Sequence, residues 1–222
     1  MTRYSNARLA AWLSLVALLA SVNYASRYLV SSSSSTDDAL YRYSTAVGAT
    51  FEYAILFLLI YAIARVDLAR LFALRRPTRW LNAAGLGFAA IVAIFLIEAA
   101  VAALPLESPG KEQGLTPSHF TSSHALPFAV NAVPIVVFAP IVEELMFRGV
   151  GFGLLERYGR PAAIVIVGIA FGVSHGVVVG LLILAPFGAV LAHLRARTES
   201  VYPGMIVHAL FNGIALLYVL TT

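Results

Sequence analysis

The feature that most constrains this chain is a succession of apolar runs, each about as long as a bilayer is thick. A membrane-spanning helix needs about 20 mostly apolar residues. Runs of that kind cover 9–30, 45–66, 80–104, 125–156, 161–194 and 200–221, and the stretch 161–194 is long enough for two helices meeting near Gly176. Only 12% of the 222 residues are charged against 60% hydrophobic, and the mean hydropathy is +0.85. Soluble domains carry about a quarter charged residues, so too few polar groups remain to cover a water-facing surface. The pattern predicts an all-α fold, a polytopic transmembrane helix bundle of about seven to eight spans. The first run is too long for the apolar core of a signal peptide and lacks a small-residue cleavage site, so it reads as a retained span.

The linkers give the expected sidedness. Ser31 to Asp38 is a polar tract of five serines, a threonine and two aspartates, as expected of a solvated loop. The 65–79 loop sets Arg65, Arg70, Arg75, Arg76 and Arg79 against Asp67 alone, which marks a cytoplasmic loop. The 105–124 loop, with Pro105, Pro109, Gly110, Gly114 and Pro117, is then extracytoplasmic, and Arg157, Arg160, Arg195 and Arg197 return to the inside. This alternation puts the N-terminus in the cytoplasm of a multi-pass protein of the cell (plasma) membrane. It divides the chain into an N-terminal three-helix region (1–104), the loop 105–124 and a C-terminal core (125–222). The net charge of +4 sits in these short loops, so it sets orientation in a lipid bilayer and does not point to nucleic acid. The chain has no cysteine, which excludes disulfides and any Cys-based metal or nucleophile site.

Ionisable groups inside spans are costly and mark function by default. The C-terminal core holds Glu143, Glu144, Arg148, His175, His208 and Asn212 on three different helices. Glu144 and Arg148 are four apart and share a face, as do His208 and Asn212, and Phe171 and His175. At 1.5 Å per residue, Glu143 and His175 lie roughly 20 Å from the cytoplasmic ends of their runs and His208 roughly 13 Å. Modest tilts bring these depths to one layer. For any one of these residues taken alone a structural interhelical network is the better reading. Carboxylates, imidazoles and an amide from three helices at one depth argue for a site.

The chemistry of the cluster follows from its groups. Pairing with Arg148 favours the charged form of Glu144. Glu143 lies about 100° around the helix and finds its partners elsewhere, which suits a general acid or base sharing a water with His175. His208 and Asn212 together could donate hydrogen bonds to a developing oxyanion. Such a set supports water-activated amide hydrolysis without a covalent intermediate.

Glu143 to Arg148 reads EExxxR, Phe171 to His175 reads FxxxH, and His208 to Asn212 reads HxxxN. The ordered set, covering about residues 125–220, resembles the CAAX protease and bacteriocin-processing (CPBP) family, also called ABI, whose eukaryotic members are Ras-converting CAAX proteases. Residues 187–201, followed by Tyr202-Pro203-Gly204-Met205, look like the family's third motif region. The resemblance implies an intramembrane endopeptidase acting on membrane-associated substrates, prenylated CAAX-type proteins among them. It implies Glu143 and His175 as water activators, His208 and Asn212 as oxyanion donors, and Glu144, Arg148 and Phe171 as residues that shape the site. The expected mechanism needs no metal or other cofactor. Zinc held by two His and two Glu is the second choice, weakened because Asn is a poor zinc ligand and no HExxH is present.

Several other signals compete. Gly172-Val173-Ser174-His175-Gly176 matches GxSxG, but a nucleophile elbow needs a strand-to-helix turn and this stretch is an apolar helical run. Glu52 and Glu98 lie within apolar runs and read as solvated near an interface or lining a watery approach. His193 is expected to be interfacial, and His119 and His124 to belong to the outer loop. Asp occurs only at 37, 38 and 67, which excludes a membrane aspartyl protease. The rival class is non-catalytic: an immunity or scaffold protein, or a proton-coupled transporter whose buried Glu and His relay protons.

Overall fold

The computed structural model describes residues 3–29, 36–106, 117 and 120–221, and within these the chain is helical. In chain order the helices are α1 (Arg3–Leu29), α2 (Tyr43–Ala64), the short α3 (Leu68–Phe72), α4 (Trp80–Ala102), α5 (Ser122–Tyr158), α6 (Arg160–Ser174), α7 (Leu181–Thr198) and α8 (Tyr202–Val219). Among the described residues six helices are long and apolar enough to cross a membrane, and α6 is apolar but shorter. The count therefore falls just below the seven to eight spans expected. The reason is local: α6 has 15 residues, which at 1.5 Å each rise roughly 22 Å, and the chain turns at Gly176 with φ 67°. The Ser31–Ser35 part of the serine tract, His119 and most of the 105–124 loop lie outside the described residues.

The expected fourth span is a 37-residue helix broken twice by π-helical segments, Pro134–Phe138 and Glu144–Gly151. Pro134 and Pro140 cannot donate to the helical ladder, so the run cannot keep regular i→i−4 bonding there. Such π segments are frequent at functional sites. Here one begins at the residue following Glu143. A carbonyl of this segment is satisfied from outside: Trp12 Nε1 donates to Met146 O at 2.9 Å.

The most extensive packing joins α6 to α7. A Cβ on Gly168 would sit 2.8 Å from Ala185 O, and one on Gly188 would sit 2.9 Å from Gly168 Cα. Small residues let the two backbones approach this closely, the usual basis of helix association in lipid. The polar chain ends sort to two sides. At one, Arg75 and Arg160 both pair with Glu199, at 3.2 and 3.3 Å, and Arg160 pairs with Glu156 at 2.8 Å. Loop 65–79 and the turns after α5 and α7 therefore meet at one basic end. At the other, Asn23 donates to Ser174 O at 2.7 Å and Tyr24 to Val177 O at 3.0 Å, so α1 holds the turn that follows α6. The main apolar core draws on Trp12, Ile60, Ile94, Phe147, Phe171 and Leu191, from both halves of the chain.

Candidate active site

Glu143 closes a short α-helical segment of α5 and Glu144 opens the π segment, so the adjacent carboxylates point to different neighbours. Glu144 and Arg148 are both fully buried and paired, with Arg148 Nη1 to Glu144 Oε1 at 2.8 Å. Arg148 Nη2 donates to Gly188 O at 3.1 Å, and its guanidinium carbon lies 4.4 Å from the Phe171 ring centroid. His208 Nδ1 lies 3.2 Å from Glu144 Oε1. Since a carboxylate only accepts, Nδ1 carries the proton and Nε2 turns toward Glu143. The Phe187 ring fixes that orientation edge-on, 5.0 Å between centroids.

His175 caps the C-terminus of α6. Its Nδ1 lies 2.7 Å from Phe171 O. A carbonyl cannot donate, so this nitrogen also carries the proton and leaves Nε2 free to accept. The Phe171 ring lies against the imidazole, with centroids 4.6 Å apart. Both Nε2 atoms face one carboxylate oxygen: Glu143 Oε2 is 3.9 Å from that of His175 and 3.8 Å from that of His208. These separations exceed hydrogen-bond range, so a water touching both partners would be needed to connect them. Glu143 Oε2 is buried without a hydrogen-bond partner among the described residues. The half-buried His175, 26% exposed, is the most open side of the cluster, against 5% for His208.

Asn212 stands one turn beyond His208 but does not join this group directly. Among the described residues its hydrogen bond goes to Ile135 O, at 2.8 Å, in the first π segment, leaving one amide hydrogen for another acceptor. Tyr53 escaped the sequence reading, while Phe187 and Gly204 fell in the third motif region without a stated role. Tyr53 on α2 donates to Glu143 Oε1 at 3.2 Å, which turns Oε2 toward the imidazoles. No spacing rule relates residues 90 positions apart, so nothing in the sequence marked it. Phe187 orients His208. Gly204 is pressed against the Glu144 carboxylate, where a Cβ would overlap Oε2 and lie 3.2 Å from Cδ. Glu52, beside Tyr53, is exposed and feels the charge of Glu143.

A metal centre would have to draw on these same residues. Glu144 Oε1 is already engaged by Arg148 and His208, and among the described residues no group of three His, Cys, Asp or Glu is arranged to hold a metal ion. Ser174, the middle of the GxSxG match, gives its hydroxyl to Phe171 O at 2.8 Å on the last turn of α6. It has neither the strand-to-helix turn nor the exposure of a nucleophile.

Comparison with known proteins adds to this geometry. Residues 125–214 match the family described as type II CAAX prenyl endopeptidase Rce1-like. A relative from Bacillus subtilis (strain 168), named "Putative membrane peptidase YdiL", is 30% identical over 97 residues, which is 41% of this chain and 40% of the relative. The match thus spans about two-fifths of that protein's length. No solved structure gives a significant match. The matched segment holds every residue of the cluster except Tyr53 and Glu52, and over it this chain is similar to the type II CAAX prenyl endopeptidase Rce1-like family.

Proposed function

We propose that this protein is an intramembrane endopeptidase that hydrolyses peptide bonds of membrane-associated substrates with a water activated by Glu143 and His175. The observation that carries this reading is the placement of one buried carboxylate oxygen, Glu143 Oε2, between two imidazole Nε2 atoms at 3.8 and 3.9 Å. A water there would lose a proton to Glu143 as its oxygen attacks the scissile carbonyl. In the neutral form of His175, with Nδ1–H held by Phe171 O, Nε2 would accept the water's second hydrogen and aim its lone pair. The tetrahedral oxyanion would be met by the free amide hydrogen of Asn212 and by His208. With Nδ1–H bound to Glu144, His208 Nε2 donates only as imidazolium, so its role as an oxyanion donor requires that form. Collapse breaks the C–N bond as Glu143 returns its proton to the leaving amine, giving an amine and a carboxylic acid whose remaining proton then passes to the amine or to water. Glu144 and Arg148 then serve by holding His208 in register. No step requires a metal ion.

The setting supports a membrane-associated substrate, because the cluster lies inside a bundle whose outer faces are apolar. A prenylated CAAX-type protein is the substrate suggested by the matched family. The basic end built by Arg75 and Arg160 would face the cytoplasm, with the N-terminus on the same side and the 105–124 loop outside, in a plasma membrane. New peptide N-termini in membranes holding equal amounts of the unmodified protein or Glu143→Gln test the reading. Termini present with the first and missing with the second are expected. Identical profiles, with both proteins folded, would favour a proton-relaying or scaffolding role.

A further inference from the structure

One cavity of the protein lies away from the carboxylate–imidazole cluster. It is a cleft of about 600 Å³ between α1 and α2 at the basic end of the bundle. Its walls are the apolar side chains Ala11, Leu15, Leu59 and Ile63, and Arg8 and Arg65 stand at its mouth. The volume falls within the roughly 300–1,000 Å³ of small-molecule sites. From Arg8 to Leu15 and from Arg65 to Leu59 the apolar walls run roughly 9–10 Å along the helices. That is about two-thirds of the roughly 15 Å depth of one leaflet. The cleft thus presents a guanidinium pair at headgroup level above an apolar channel at acyl-chain level, on an outer face of a chain that lives in lipid.

Charge complementarity selects the occupant. Arginine forks match phosphate oxygens in geometry and charge, and basic clefts between transmembrane helices take anionic headgroups. A zwitterionic lipid would bring its own cation beside two guanidinium groups. We propose that the α1–α2 cleft is a binding site for an anionic phospholipid, with its phosphate between Arg8 and Arg65 and an acyl chain along Leu15 and Leu59. This site is separate from the catalytic cluster and does not depend on the peptidase reading. It also gives α1 and α2 a shared ligand, although their direct packing is limited.

Purified protein in neutral detergent, titrated with phosphatidylglycerol or phosphatidylcholine and followed by thermal unfolding and native mass spectrometry, tests the site. Phosphatidylglycerol should remain bound and raise the unfolding temperature, and phosphatidylcholine should do neither. Arg8→Gln/Arg65→Gln should weaken phosphatidylglycerol binding roughly 30-fold, the loss expected from two interfacial arginines. Ala62→Trp, which fills the cleft without changing charge, should also displace the lipid, so the conclusion does not rest on the arginine variant alone. Equal binding of both lipids, or phosphatidylglycerol binding that survives both variants, would overturn the site. Stabilisation by glycerol phosphate as strong as by phosphatidylglycerol would overturn it too, by showing an anion site with no use for the acyl channel.

Discussion

Replacing Gly204 with alanine probes the tightest contact in the site. The added methyl would overlap Glu144 Oε2 and lie 3.2 Å from its Cδ. A surface carboxylate would swing away, but this one is fully buried and held through Oε1 by Arg148 at 2.8 Å and His208 Nδ1 at 3.2 Å. Either the carboxylate turns and loosens both bonds, or α8 backs away from α5 and carries His208 with it. Overpacking of this kind costs about 1–3 kcal/mol, partly offset by the roughly 1 kcal/mol helix preference of alanine over glycine. The expected net loss is about 0–2 kcal/mol, or up to some 8 °C in unfolding temperature for a chain of this size. Activity should fall further, by about 100-fold, because a shift near 1 Å in a catalytic group costs that much. Gly48, with nothing within 4 Å of its ideal Cβ, is the control: Gly48→Ala should be neutral or slightly stabilising. The assay is thermal unfolding of both purified variants beside cleavage of a substrate found in the N-terminus comparison. A Gly204→Ala protein with unchanged unfolding and unchanged cleavage would refute the lock on Glu144.

Further outcomes follow from the same geometry. Arg148→Met leaves the fully buried Glu144 carboxylate without its guanidinium, with only His208 Nδ1 still donating to it among the described residues, and should destabilise the protein by about 3–5 kcal/mol, read as a large drop in unfolding temperature. Tyr53→Phe removes the hydroxyl that donates to Glu143 Oε1 and should lower kcat about tenfold with KM and unfolding little changed. A rise in KM alone would show that Tyr53 contacts substrate instead. Prolonged dialysis against a zinc chelator should leave cleavage intact, whereas loss restored by added zinc would favour the metal-dependent alternative.

The parts of this protein that could be read from sequence are those governed by short-range rules. Bilayer thickness set the apolar run lengths, and the helices fall within a few residues of those runs, α2 at Tyr43–Ala64 and α4 at Trp80–Ala102 for example. The i, i+4 rule foresaw the Glu144–Arg148 pair. It could not foresee that the same helix would break into π segments, although Pro134 and Pro140 were in view, because proline announces a disruption and not its form. The pairing of Glu143 with Tyr53 depends on where α2 packs against α5, and His208 with Glu144 on how closely Gly204 lets α8 approach. These are tertiary facts, with partners 90 and 64 residues apart, and no local pattern encodes them. Asn212 shows the converse. Its spacing from His208 puts both on one face, yet its amide is drawn first to Ile135 O.

The central claim is that Glu143 and His175 act on one water, and a double-mutant cycle tests it most directly. Cleavage rates of the unmodified protein, Glu143→Gln, His175→Ala and the double variant would be measured in reconstituted bilayers on one substrate. Each single change should cost about 10²–10⁴-fold, and the double variant should be about as slow as the slower single one, since groups that act as a unit are lost only once. Losses that multiply would mean the two side chains work on separate steps and would contradict the account.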